Sequence, residues 1–161
     1  MKKLVNKVAL ITGASSGIGK STAERFVKEG AKIIIADHNL IAAEKFASSL
    51  RDNQFHAEAV LFEACDIHSA AKAVDRAIEM FGGIDIVVNN VGGSDLSKDL
   101  NVTDLDIDYF DKVMHTNLRS MLLTARAALP YMVNKSKCFS DETAGIIINV
   151  ASIGGLLGDL R

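Results

Sequence analysis

The sequence predicts a doubly wound α/β fold on a parallel sheet, and three observations carry that expectation. Short apolar, β-branched runs recur along the chain, helical patterns fill the gaps between them, and a glycine-rich turn joins the first run to the first helix. The runs are unbroken rather than alternating, which marks strands covered on both faces, as in a parallel sheet with helices on each side.

Taken in order, Val8-Ala9-Leu10-Ile11 forms the first strand. In the segment that follows, Ile18, Thr22 and Phe26, with Ala23 and Val27, recur at helical spacing while Lys20, Glu24, Lys28 and Glu29 point elsewhere. Gly30 stands where a left-handed helix terminus is wanted. Ile33-Ile34-Ile35-Ala36 gives the second strand and Ala59-Val60-Leu61-Phe62 the third. His68 to Phe81 reads as a helix ended by Gly82-Gly83, and Ile84-Asp85-Ile86-Val87-Val88 as the fourth strand. The longest helical stretch runs from Leu105 to Lys135, with Pro130 expected to bend or interrupt it. Residues 134–143 are polar and read as a surface loop before the fifth strand, Ile146-Ile147-Ile148-Asn149-Val150. The order β-α-β-α-β-α-β-α-β implies right-handed crossovers, with ligands at the carboxyl ends of the strands where the strand order reverses.

At 161 residues the chain suits one domain, 1–161, and 48% hydrophobic content supplies a core. A net charge of −2 offers no electrostatic hold on nucleic acid or an anionic membrane. No apolar run approaches the roughly 18 residues of a membrane helix, and the start of the chain lacks the apolar region of a secretory signal. Cys65 and Cys138 are too few for a disulfide framework and show no metal-ligand spacing with the four histidines. They read as buried or incidental thiols in a cytoplasmic protein, and no metal site is expected.

Function is sought after each strand. Thr12-Gly13-Ala14-Ser15-Ser16-Gly17-Ile18-Gly19 leads straight from strand to helix. Gly13 lets the chain leave the strand tightly, Gly17 lets backbone approach a pyrophosphate, and Gly19 allows close helix packing. Free N–H groups and the positive end of the helix dipole then face the phosphates. Ser15 and Ser16 are placed either to cap the helix or to bond a phosphate oxygen. Asp37 ends the second strand, near the ~20-residue offset at which an acid bonds the ribose hydroxyls of NAD. A carboxylate there opposes the 2′-phosphate of NADP, and no arginine or lysine follows it, only His38. NAD is therefore expected rather than NADP, the alternative being a solvated aspartate at a strand end.

Five segments together resemble the short-chain dehydrogenases/reductases. Thr12 to Gly19 is similar to the family's TGxxxGxG loop, and Asn89-Asn90-Val91-Gly92 to its NNAG segment, with valine in place of alanine. The resemblance implies that Asp66 and Ile67 meet the adenine and that Asn90 and Gly92 line the cofactor ribose. It further implies that Asn117 is the catalytic asparagine, which perturbs its helix and anchors a proton-relay water. Ser152, after the fifth strand, matches the serine that bonds the substrate oxygen. Two of these residues have plain alternatives: Asp66 as a helix cap, and Asn89 as a structural hydrogen-bonder between strands.

The resemblance implies an NAD-dependent oxidoreductase interconverting a small-molecule alcohol and a ketone, homo-oligomeric in its complete form. It also places the family's tyrosine–lysine pair, the general acid/base and its partner, just past Arg161. The expectation is thus a sheet stopping at five strands with an uncovered apolar edge, no substrate loop, and hydride transfer weakened by about 10²–10⁴-fold. Tyr131-Met132-Val133-Asn134-Lys135 fits the pair's spacing by letter but precedes Ser152 and leads away from the strand ends. Tyr109 reads as packing. The competing functions are a non-catalytic dinucleotide-binding module and a fragment that does not fold alone.

Overall fold

The computed structural model describes residues 2–98, 100–139 and 144–155, with the side chains of 135–139 and 155 outside that set. Five strands, β1 (Val8–Thr12), β2 (Lys32–Asp37), β3 (Ala57–Leu61), β4 (Ile86–Asn89) and β5 (Ile146–Asn149), form one parallel sheet in the order β3-β2-β1-β4-β5. The order reverses at β1, whose neighbours are β2 and β4, so the crevice above the ends of β1 and β4 is the switch point where ligands bind such sheets.

The helices are α1 (Gly17–Lys28), α2 (Leu40–Asp52), α3 (Ile67–Phe81), α4 (Ile107–Met114) and α5 (Ser120–Phe139). Alternate strand residues feed two cores. Ala9, Ile11, Ile33, Ile35, Ile86 and Val88 pack under α1 and α2, while Val8, Leu10, Ile34, Ala36 and Val87 pack under α3 and α5. Unbroken apolar strands follow directly, because both faces are covered. In α2, Ala43, Phe46, Ala47 and Leu50 supply one buried face, and the Asn39 side chain caps its start by accepting the Ala42 N–H at 3.0 Å. Gly30 and Gly82 take positive φ just past α1 and α3, as read from the sequence. No described helix is long and apolar enough to cross a membrane.

Three features depart from expectation. The third strand begins at Ala57, two residues early, and Glu58 breaks its apolar run because β3 is an edge strand only partly covered. Ile18 lies outside the core, 66% exposed, with Thr22 and Phe26 half-buried on an open face, so Gly19, Ala23 and Val27 are the buried residues of α1. The long helix continues through Pro130 to Phe139, so the expected loop at 134–143 does not begin at 134. Its break lies earlier, at a π-helical turn over His115–Arg119, around the asparagine that the resemblance implies perturbs its helix. On the other edge, as expected, β5 exposes the apolar side chains of Ile146 and Ile148, and it packs inward through Ile147.

Candidate functional site

The turn after β1 is assembled by small residues and backbone bonds. Thr12 Oγ1 accepts the N–H groups of Asn90 at 3.0 Å and Val91 at 3.1 Å, locking the ends of β1 and β4 together. Asn90 Nδ2 donates to the carbonyls of Thr12 at 3.0 Å and Gly13 at 3.2 Å, so its amide nitrogen holds the turn. Gly17 has φ +53°, and a Cβ there would meet nothing within 4 Å, which leaves a cradle in front of α1. Gly19 is the reverse case: a Cβ would lie 2.4 Å from the Gly13 carbonyl oxygen and 2.6 Å from Asn90 Nδ2. Close packing at Gly19 is therefore against the turn itself rather than the sheet.

Neither serine caps α1. Ser16 occupies the N-cap position without a side-chain cap bond, and the Ser15 N–H is directed to Asp37. The first turn of α1 thus begins with three exposed residues, Ser16, Gly17 and Ile18, at the positive end of the helix dipole.

Asp37 is only 2% exposed, so it is not a solvated strand-end residue. Its Oδ2 accepts the Ser15 N–H at 3.0 Å, and its Oδ1 accepts the Asn39 N–H at 3.0 Å and lies 3.2 Å from His38 Nδ1. Asp66 caps α3 through Oδ1, which accepts the His68 N–H at 2.9 Å, and the cap uses that oxygen alone. Ile67 beside it is half exposed. Cys65 is exposed rather than buried, with Sγ 3.7 Å from Thr116 Oγ1, while the Cys138 side chain lies outside the described residues.

Asn117 sits inside the π turn. Its Oδ1 accepts the Gly93 N–H at 2.8 Å and its Nδ2 donates to the Gly93 carbonyl at 3.1 Å, so one amide clamps both backbone groups of one loop residue. Gly92 lies close beneath it, and a Cβ there would stand 3.3 Å from Asn117 Oδ1, a tight contact. Ser152 follows β5, exposed, its Oγ accepting the Gly154 N–H at 3.2 Å. Asn117 and Ser152 line the same 440 Å³ cavity, whose other walls include Leu105, Tyr109, Phe110 and Val113. Tyr109 does more than pack: its hydroxyl accepts the Asp95 N–H and donates to the Asp95 carbonyl at 3.2 Å, a second clamp on the same loop. The Asp95 carboxyl is held below its usual range by the Ser97 hydroxyl and N–H, which fixes the loop further. No motif flags Tyr109, because its role depends on a loop folding back from β4.

Tyr131 lies elsewhere. Its hydroxyl donates to Asp75 of α3 at 3.3 Å, and the neighbouring Met132 packs against Gly145 at the amino end of β5. That is the opposite end of the sheet from the cavity. The Asp75 carboxylate raises the Tyr131 pKa, whereas a tyrosine acting as acid and base near neutral pH needs it lowered. The Lys135 side chain lies outside the described residues. Tyr131→Phe is expected to leave dinucleotide affinity unchanged within about twofold in a calorimetric titration.

Comparison with known proteins adds a second line. A family model described as short chain dehydrogenase matches residues 7–160. The chain is 38% identical over 159 residues to a 7alpha-hydroxysteroid dehydrogenase of Bacteroides fragilis, covering 99% of this chain and 59% of that protein. It is 33% identical over 160 residues to a 7alpha-hydroxysteroid dehydrogenase of Clostridium sardiniense, covering 99% of this chain and 58% of that one. The chain therefore spans somewhat under two thirds of the length of these curated relatives. The crystal structure of a short chain dehydrogenase from Mycobacterium smegmatis superimposes with a TM-score of 0.86 at 28% identity, covering 99% of this chain and 63% of the other.

Proposed function

The chain belongs to the short-chain dehydrogenase family, and from that premise we propose that it binds NAD(H) and serves the interconversion of a secondary alcohol and a ketone. The observation that carries this reading is the uncapped start of α1 at the switch point, with Gly17 leaving open the space a pyrophosphate needs. When bound there, NAD supplies the hydride acceptor of the reaction. Asp37 and the turn of residues 13–19 hold the adenosine and pyrophosphate end, and the Asp66-Ile67 segment borders the adenine.

Ser152 is the residue we assign to the substrate oxygen, its hydroxyl stabilising charge that develops there. Asn117 keeps the Gly92-Gly93 wall in place through its paired bonds to Gly93. A pure binding module has no need of the Ser152 hydroxyl at this cavity, which favours the enzymatic reading. Leu105, Phe110 and Val113 make that cavity largely apolar, which suits an apolar secondary alcohol. Hydroxysteroids fall in that class, and two relatives act on them by name.

Titration calorimetry with NAD and NADP tests the cofactor assignment. The buried Asp37 carboxylate opposes a 2′-phosphate, and NADP is expected to bind at least about tenfold more weakly than NAD. Equal affinities remove the cofactor preference, and no binding of either removes the proposal.

A further inference from the structure

We infer that Asp37 is a positioning residue for the anion-binding turn, acting through the backbone N–H of Ser15; this rests on the dinucleotide reading of the site. An ionised carboxylate has about four lone-pair positions, so one that holds a ribose can also anchor backbone. Asp37 is buried, and its oxygens receive N–H groups from two elements, Ser15 before α1 and Asn39 before α2. A buried carboxylate persists when such bonds satisfy it, and bonds to a charged acceptor are among the stronger ones.

Ser15 is the part of the turn most in need of an anchor. It lies between Gly13 and Gly17, both at positive φ, and no cap bond from Ser16 fixes the entry to α1. The turn is held on one side by Asn90 donating to the Gly13 carbonyl and on the other by Asp37 accepting from Ser15. Asp37 therefore sets where the first N–H groups of α1 point, and the adenosine end of the site is coupled to the pyrophosphate end through one side chain.

The two possible roles differ in sign for a ligand without a ribose. By charge alone, removing a carboxylate beside an anion site strengthens anion binding. By positioning, removing it weakens binding, because the turn loses its shape. Inorganic pyrophosphate is the probe, titrated calorimetrically against the unsubstituted chain, Asp37→Ala and Asp37→Asn. Positioning predicts pyrophosphate affinity about tenfold or more lower in D37A, with D37N intermediate because it keeps one acceptor oxygen. Hydrogen exchange at the Ser15 amide should accelerate in both, while the Leu10 and Ile34 amides within the sheet keep their protection.

Unchanged or tighter pyrophosphate binding by a folded variant overturns the inference. So does a Ser15 amide that exchanges in the unsubstituted chain as fast as an open loop. If D37A does not fold, D37N and the exchange of the native Ser15 amide decide the matter. If the native chain binds neither NAD nor pyrophosphate, the dinucleotide reading falls, while Ser15 protection still decides whether Asp37 anchors the turn.

Discussion

Gly19→Ala is expected to abolish measurable NAD binding and to lower stability by about 1–3 kcal/mol. The added Cβ would meet the Gly13 carbonyl oxygen at 2.4 Å and Asn90 Nδ2 at 2.6 Å, distances that real Cβ atoms do not tolerate. One of these contacts is backbone, so rotation of a side chain cannot relieve it. Either the turn moves off α1 or α1 moves off the sheet, and in both cases the donors facing the crevice are misaligned. Losing two charge-assisted bonds to a pyrophosphate corresponds to about a hundredfold or more in affinity.

Gly17→Ala provides the contrast. Its Cβ meets no protein atom, so the steric cost to the fold is absent and only the left-handed backbone at φ +53° is penalised, by about 1–2 kcal/mol. Its methyl group would stand in the space proposed for the pyrophosphate. Both variants should thus lose NAD, but only G19A should also disturb the bonds between Asn90 and the turn. Thermal unfolding with calorimetry separates the two, and a G19A chain that keeps its melting temperature and its NAD affinity sinks the account of this turn.

The sheet was legible because covering both faces leaves a simple pattern: β1, β2 and β4 are nearly continuous apolar runs. Legibility failed where a residue's surroundings came from distant chain. Glu58 broke the third run because β3 is an edge, and edge status depends on strand order. The π turn around Asn117 was legible through the family resemblance, which implies that this asparagine perturbs its helix, and not through periodicity, since a change of hydrogen-bond register leaves no periodic trace over five residues. Pro130 does not end α5, although local propensity alone disfavours it. At the site, residue types were readable and their commitments were not. Ser15 and Ser16 look like caps in sequence, yet Ser16 makes no cap bond and Ser15 points its N–H at a residue 22 positions away.

Asn89→Ala is expected to destabilise the chain by about 2–3 kcal/mol, far more than Asn149→Ala. Asn89 is 2% exposed and is the hub of a polar network between β4, β5 and α5. Its Nδ2 donates to Asn149 Oδ1 at 2.8 Å, and its Oδ1 accepts from the fully buried Thr124 hydroxyl. Removing the hub costs two hydrogen bonds and some buried volume. Thr124 keeps a partner, since its hydroxyl also lies 3.1 Å from the Ser120 carbonyl, and that limits the loss. Asn149 is exposed, so water replaces its partner and its removal should cost about 1 kcal/mol or less. The asymmetry bears on function because β5 carries Ser152 three residues beyond Asn149, and on its inner side β5 borders β4. Urea unfolding of both single variants and the double variant gives the coupling directly. Coupling near zero, or an Asn89→Ala cost below about 0.5 kcal/mol, means that the backbone ladder alone aligns β5, and Ser152 then owes its position to nothing in this network.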